Sequence, residues 1–155
     1  MVRNAAEPSL FESADPNIFR RETGLTEFVL TVGLLEVRKN QLLLLQALHD
    51  TGLPIVVVGR SYNTEYEAMC RDIGGSNTLF IEDLPHDRLA SAMRAARVFA
   101  LPSWMECAAF ASLEAAATGC PLVVGNRTSE REYFGDAAYY ADPANVGSIR
   151  KAVVT

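Results

Sequence analysis

The stretch VFALPSWMECAAFASLEAAATGCPLVVGN, Val98–Asn126, decides the fold. VFALPS (Val98–Ser103) is an apolar run ended by Pro102, the mark of a strand buried on both faces. Ala111 to Thr118 is Ala-rich and is stopped by Gly119 and Pro121, as a helix is. PLVVGN (Pro121–Asn126) is apolar and β-branched again. Strand, helix and strand in so short a span make a βαβ unit with parallel strands and a right-handed crossover.

The same alternation extends in both directions. Upstream, EFVLTVG (Glu27–Gly33) reads as a buried strand, Asn40 to Asp50 as a Leu-rich helix ended by Gly52 and Pro54, and IVVVG (Ile55–Gly59) as a second strand. Glu65 to Asp72 is a helix, TLFIEDL (Thr78–Leu84) a third strand, and a helix starting near Asp87 carries Leu89, Met93 and Ala96 along one face. Downstream, AAYYADP (Ala137–Pro143) holds a short sixth strand, and Val146 to Val154 begins a final helix that the chain cuts short. The expected fold class is α/β: a doubly wound, mainly parallel Rossmann-like sheet with helices on both faces. Residues 1–24 are polar, with Pro8, Pro16 and Gly24 as breakers, and read as a linker ahead of a domain at residues 25–155.

Composition narrows the function. The 155 residues suit one domain, with 49% hydrophobic and 21% charged. A net charge of −5 without a basic patch argues against nucleic-acid binding. Cys70, Cys107 and Cys120 are odd in number and lack ligand spacing, and His49 and His86 stand apart, so no metal site is expected. No apolar run reaches the roughly 20 residues of a transmembrane helix. No signal peptide is expected, and reduced thiols fit a cytoplasmic location.

In such sheets, ligands bind outside the carboxyl ends of the strands. VGLLEVRKNQ follows the first strand, and Lys39 there is suited to a phosphate, although Arg38 and Lys39 equally fit a solvated surface. Gly59, directly after the second strand, permits close backbone approach by a ligand, and Arg60 beside it is a candidate phosphate contact. No complete G-x-G-x-x-G is present. Glu106 falls in the loop after the fourth strand, and Glu114 falls within a helix whose neighbours Leu113, Ala115, Ala116 and Ala117 leave little polar surface. Paired carboxylates accept hydrogen bonds from sugar hydroxyls, and the free N–H groups at the helix start near Phe110 to Ser112 suit phosphate. Trp104 and Met105 fit either a pocket wall or packing at the strand end.

On these residues the chain resembles the C-terminal domain of the retaining glycosyltransferases of GT-B fold, the glycogen-synthase and mannosyltransferase-like group. Glu106, Glu114 and TGCPLVV (Thr118–Val124) match that family's Glu, seven residues, Glu, Ala-rich helix and Gly-x-Pro. VGLLEVRKNQ resembles its first-strand loop, GDAAYYADP (Gly135–Pro143) its late segment with Glu132 before it, and VRNAAEPSLF its interdomain segment. The resemblance implies one half of a GT-B fold that binds a nucleotide sugar without a metal or other cofactor, and transfers a hexose with retention of configuration. It implies a partner, an N-terminal acceptor-binding domain that this chain lacks. The chain alone is then expected to be inactive.

The resemblance also implies roles. Lys39 binds the diphosphate and, with Glu106, forms the catalytic pair. Glu106 meets the donor sugar and Glu114 the ribose. Ala109, Phe110 and Ala111 offer backbone N–H groups, Leu84 and Asp83 meet the base, and Gly33, Gly59, Arg60 and Leu113 complete the donor site. Three places depart from the family. The linker's usual Asn-Gly is Asn4-Ala5 here. Leu34 stands where the family has Arg, and Ala109 stands where it has Gly, adding a methyl and opposing a positive φ. These departures support an alternative, a degenerate non-catalytic module used as a scaffold or protein-binding surface. A receiver-type domain is disfavoured, because no acidic cluster marks the strand ends.

Overall fold

The computed structural model describes residues 8–155, so Val2 to Glu7 of the resembling interdomain segment lie outside the described residues. Six parallel strands, β1 (Val29–Val32), β2 (Ile55–Val58), β3 (Thr78–Ile81), β4 (Val98–Leu101), β5 (Leu122–Gly125) and β6 (Tyr139–Ala141), form one sheet in the order β3-β2-β1-β4-β5-β6. The chain moves outward from β1 to β3, then returns to the other side of β1 with β4. The order therefore reverses between β1 and β4, which is where doubly wound sheets open a crevice.

Alternate residues of each strand enter opposite cores. Leu30, Val56, Val58, Phe99, Leu101 and Val124 pack on one face under α5 (His86–Ala95) and α6 (Phe110–Ala117). Val29, Ile55, Val57, Ala100 and Val123 pack on the other under α3 (Gln41–Leu48), α4 (Thr64–Gly74) and α8 (Val146–Val154). Burial on both faces explains why β2, β4 and β5 are unbroken apolar runs. Side chains cap the helices at the expected places: Asn63 accepts from the Tyr66 N–H at 3.0 Å, and Asn145 from the Ser148 N–H at 2.9 Å.

The lead-in segment corrects the irregular reading of residues 8–24. It forms α1 (Pro8–Glu12) and α2 (Pro16–Thr23), with Phe11 and Phe19 each 1% exposed in the core beneath α5. Pro8 and Pro16 open these helices, where a missing N–H costs nothing, and Gly24 closes α2 at φ 74°. Asp15 accepts from the Asn17 N–H, and Ser91 of α5 bonds both the Phe19 N–H and the Asp15 carbonyl. The residues read as breakers are thus caps. Each helix buries a single aromatic ring, so neither produced a periodic signal. A further short helix, α7 (Glu130–Phe134), also had none.

Candidate functional site

Glycines open the crevice. Gly33 ends β1 at φ 151° and Gly59 ends β2 at φ 152°, and they lie back to back. A Cβ on Gly59 would collide with the Gly33 carbonyl, so only glycine lets the two strand ends run side by side here. A Cβ on Gly33 would meet the Lys39 stem at 3.4 Å, which places that stem across the end of β1.

A 3-10 turn at Val37–Lys39 then delivers Lys39 into the crevice. Asn40 follows at φ 65°, the one non-glycine residue with positive φ among the described residues. Asparagine tolerates that region better than most residues. Its side-chain amide donates to the carbonyls of Pro102 and Pro143, both at 2.9 Å, and so fastens the loop after β1 to the ends of β4 and β6. The Trp104 N–H donates to the Arg38 carbonyl, and Arg38 Nη1 donates to the Met105 carbonyl at 3.1 Å, closing the loop on the segment after β4.

Glu106 lies at the junction. It is 5% exposed, receives Lys39 Nζ at 2.6 Å and Ser103 Oγ at 2.8 Å on the same oxygen, and has Arg38 Nη1 3.8 Å from its other oxygen. A carboxylate buried this deeply requires such partners. Its own carbonyl accepts from Ser129 Oγ at 3.1 Å. The ion pair bridges the β1 and β4 sides of the crevice, at the point where the strand order reverses.

Among the described residues, the other side-chain candidates make no hydrogen bond or ion pair with Lys39 or Glu106. Ala109 precedes α6 at φ −79°, so the methyl meets no positive-φ penalty, and at 2% exposure it is packed rather than obstructive. That corrects the conformational objection raised by its departure from glycine. No side chain caps α6, while the Phe110 N–H turns back to the Ala108 carbonyl. The first-turn N–H groups that remain for an anion are therefore those of Ala111 and Ser112. Phe110 is 41% exposed at the rim, and Ala111 and Leu113 lean on the core.

Glu114 is half-buried, and burial pushes its carboxyl above the usual range, opposed by the nearby His86. Arg60 is paired with Asp83 at 3.3 Å on the exposed β2/β3 edge, away from the Lys39–Glu106 pair, and Leu84 packs against the core. Leu34 is exposed beside Gly33 and brings no charge to the crevice. Arg127 lies over the Trp104 ring, 5.4 Å from its centroid, and pairs with Asp142.

Sequence reasoning missed Asn40, Ser103 and Glu130, and for Ser112 it found the backbone N–H but not the side-chain contact. Glu130 is fully buried, accepts from Ser112 Oγ at 2.6 Å and lies 2.9 Å from Thr128 Oγ1, whereas Glu132 is exposed. Burial raises the Glu130 carboxyl, its two hydroxyl partners lower it, Glu106 raises it and Lys39 lowers it. Only Asn40, directly after Lys39 and before a Leu-rich helix, carried a usable signal. Among the described residues no three His, Cys, Asp or Glu side chains gather as a metal site, and no helix is long and apolar enough to cross a membrane.

A doubly wound parallel sheet with helices on both faces and a charged, glycine-floored crevice at its switch point is a Rossmann-like α/β domain. The profile of the family described as Glycosyl transferases group 1 matches residues 17–154, and the chain belongs to that family. O-antigen chain mannosyltransferase B of Escherichia coli is 32% identical over 131 residues, covering 79% of this chain and 34% of the relative. Sucrose-phosphate synthase of Thermosynechococcus elongatus superposes with a TM-score of 0.83 at 21% identity over 97% of this chain and 41% of its own. Anabaena HepE, solved in complex with UDP and glucose, gives 0.83 at 19% identity over 97% and 45%. The fold is thus one Rossmann-like half of the GT-B architecture, and the chain spans between a third and a half of the length of these proteins.

Proposed function

We propose that this chain is the donor-binding domain of a retaining, metal-independent glycosyltransferase that moves a hexose from a nucleoside diphosphate to an acceptor. The observation that carries the reading is the Lys39–Glu106 ion pair across the β1/β4 crevice, 2.6 Å long and backed by Ser103. A cation and a carboxylate side by side suit the two halves of a sugar diphosphate. Lys39 takes the diphosphate, with the Ala111 and Ser112 N–H groups, while Glu106 accepts from the sugar hydroxyls. Glu114 accepts from the ribose, and the Asp83–Leu84 backbone meets the base. As the glycosidic bond breaks, negative charge grows on the leaving diphosphate, where Lys39 and the α6 N-terminus stabilise it.

An N-terminal acceptor-binding domain closes the other side of the crevice, and the enzyme works in the cytoplasm. The test is calorimetric titration of the chain with UDP, GDP and ADP, then their sugar conjugates, beside Glu114→Ala. Saturable binding of one nucleotide, weakened by the substitution, supports the reading and names the base. No binding by a folded chain would overturn the donor site and leave the scaffold role.

A further inference from the structure

Thr128 Oγ1 has one hydrogen and two acceptors within reach, the Gly125 carbonyl at 3.1 Å and Glu130 Oε2 at 2.9 Å. It also faces the Glu130 N–H at 3.3 Å. If Glu130 is ionised, one of these acceptors, both on buried residues, goes without the Thr128 hydrogen, which is costly. If Glu130 holds a proton on Oε2, that proton goes to Thr128 Oγ1, the Thr128 hydrogen goes to Gly125, and Ser112 Oγ donates to Oε1 at 2.6 Å. Every hydrogen then has one acceptor.

We propose that Glu130 is a positioning residue that carries its proton in the folded chain and, as a neutral strut, fixes the two walls of the crevice. Through Ser112 it holds the first turn of α6, and through its neighbour Ser129, which donates to the Glu106 carbonyl, it holds the loop that presents Glu106. The charged groups facing it are Glu106, from the loop after β4, and Lys39, from the turn after β1. Arg127 on the adjoining loop is turned to Asp142 and Trp104, and Arg131 on its own helix to Tyr140. Burial agrees with the neutral form, since it raises the carboxyl. Ionisation would place a second anion beside Glu106 and against any phosphate on Lys39 and α6.

The part of this inference that concerns ligand rests on the donor-site reading. The proton is followed first and without any ligand, from the carboxyl 13C shift of Glu130 in the glutamate-labelled wild-type chain between about pH 5 and 9. Titration well above an ordinary glutamate supports the strut, and titration in the ordinary range overturns it, whether or not any variant folds. UDP affinity is then measured across that range for wild type and Glu130→Gln, which keeps a neutral acceptor and donor. The wild type should lose about tenfold in affinity, relative to the variant, as Glu130 ionises. UDP bound with the same pH dependence by both proteins would remove the positioning role while leaving the donor site intact. A chain that binds no UDP at any pH would instead overturn the donor site, and the 13C titration would still decide the proton.

Discussion

Glu106 and Glu114, which the sequence presented as a pair, have different surroundings in the structure. Glu106 is deeply buried and fully partnered, with Lys39, Ser103 and Arg38 around it and its backbone fastened by Ser129. Glu114, eight residues on, is half-buried, shifted upward by burial, and relieved, among the described residues, by the field of His86. The first is a finished electrostatic unit at the β1/β4 junction, and the second is a half-buried, partly desolvated acceptor. Preassembled charge belongs where a reaction develops charge, and spare acceptor capacity belongs where a neutral polyol docks.

The strongest way to break that contrast is Lys39→Ala. On the proposed function, this substitution in an enzyme that joins this chain to an acceptor-binding domain should lower turnover by about 100- to 1,000-fold, read as nucleoside diphosphate released per unit time. In this chain it should also reduce stability, because Glu106 loses its buried countercharge. Turnover within a few-fold of wild type would show that the ion pair is structural alone.

Asn40→Ala tests whether the pair is held from outside. It removes two buried hydrogen bonds and places alanine at φ 65°, for an expected loss of about 2–3 kcal/mol in denaturant unfolding. Asn40→Gly keeps the backbone conformation and loses only the bonds, so it should recover part of that. Equal losses in both would put the whole effect on the amide.

These two tests fall on residues of unequal legibility. The alternating strands and helices were readable because parallel strands buried on both faces have no polar positions, as β2, β4 and β5 show. Lys39, Glu106 and Glu114 were readable as charges at strand ends or in an Ala-rich helix. Asn40 carried only a positional signal and Glu130 none, because their roles depend on contacts across longer sequence separations, such as Asn40 to Pro143 and Ser112 to Glu130, while Ser103 meets Glu106 three residues on in a loop without a periodic pattern. The helices α1 and α2 stayed hidden for a local reason, since Pro and Gly serve as both caps and breakers.

Glu114→Ala should weaken nucleotide binding by about tenfold or somewhat more, the worth of hydrogen bonds to a charged acceptor. The sign of the pH dependence sharpens the point. Because burial holds the free carboxyl above its usual range and ribose hydroxyls favour its ionised form, affinity should rise as pH rises through that raised value. Glu114→Gln should flatten this rise. A rise unchanged in the variant would move the ribose contact elsewhere.

The smallest effect is expected at Arg60, on the far edge of the crevice. Its pair with Asp83 is 3.3 Å long, with side chains 59% and 73% exposed, so Arg60→Ala should change stability by less than about 0.5 kcal/mol. Nucleotide affinity is the informative readout, because an arginine that leaves Asp83 for a phosphate would be worth several-fold at low salt and much less at high salt. A salt-sensitive loss of affinity at unchanged stability would extend the charged half of the crevice from the β1/β4 junction to the β2/β3 edge. No loss at either salt would leave Lys39 and the α6 N-terminus as the phosphate site, with Leu34 and Arg60 at its margin.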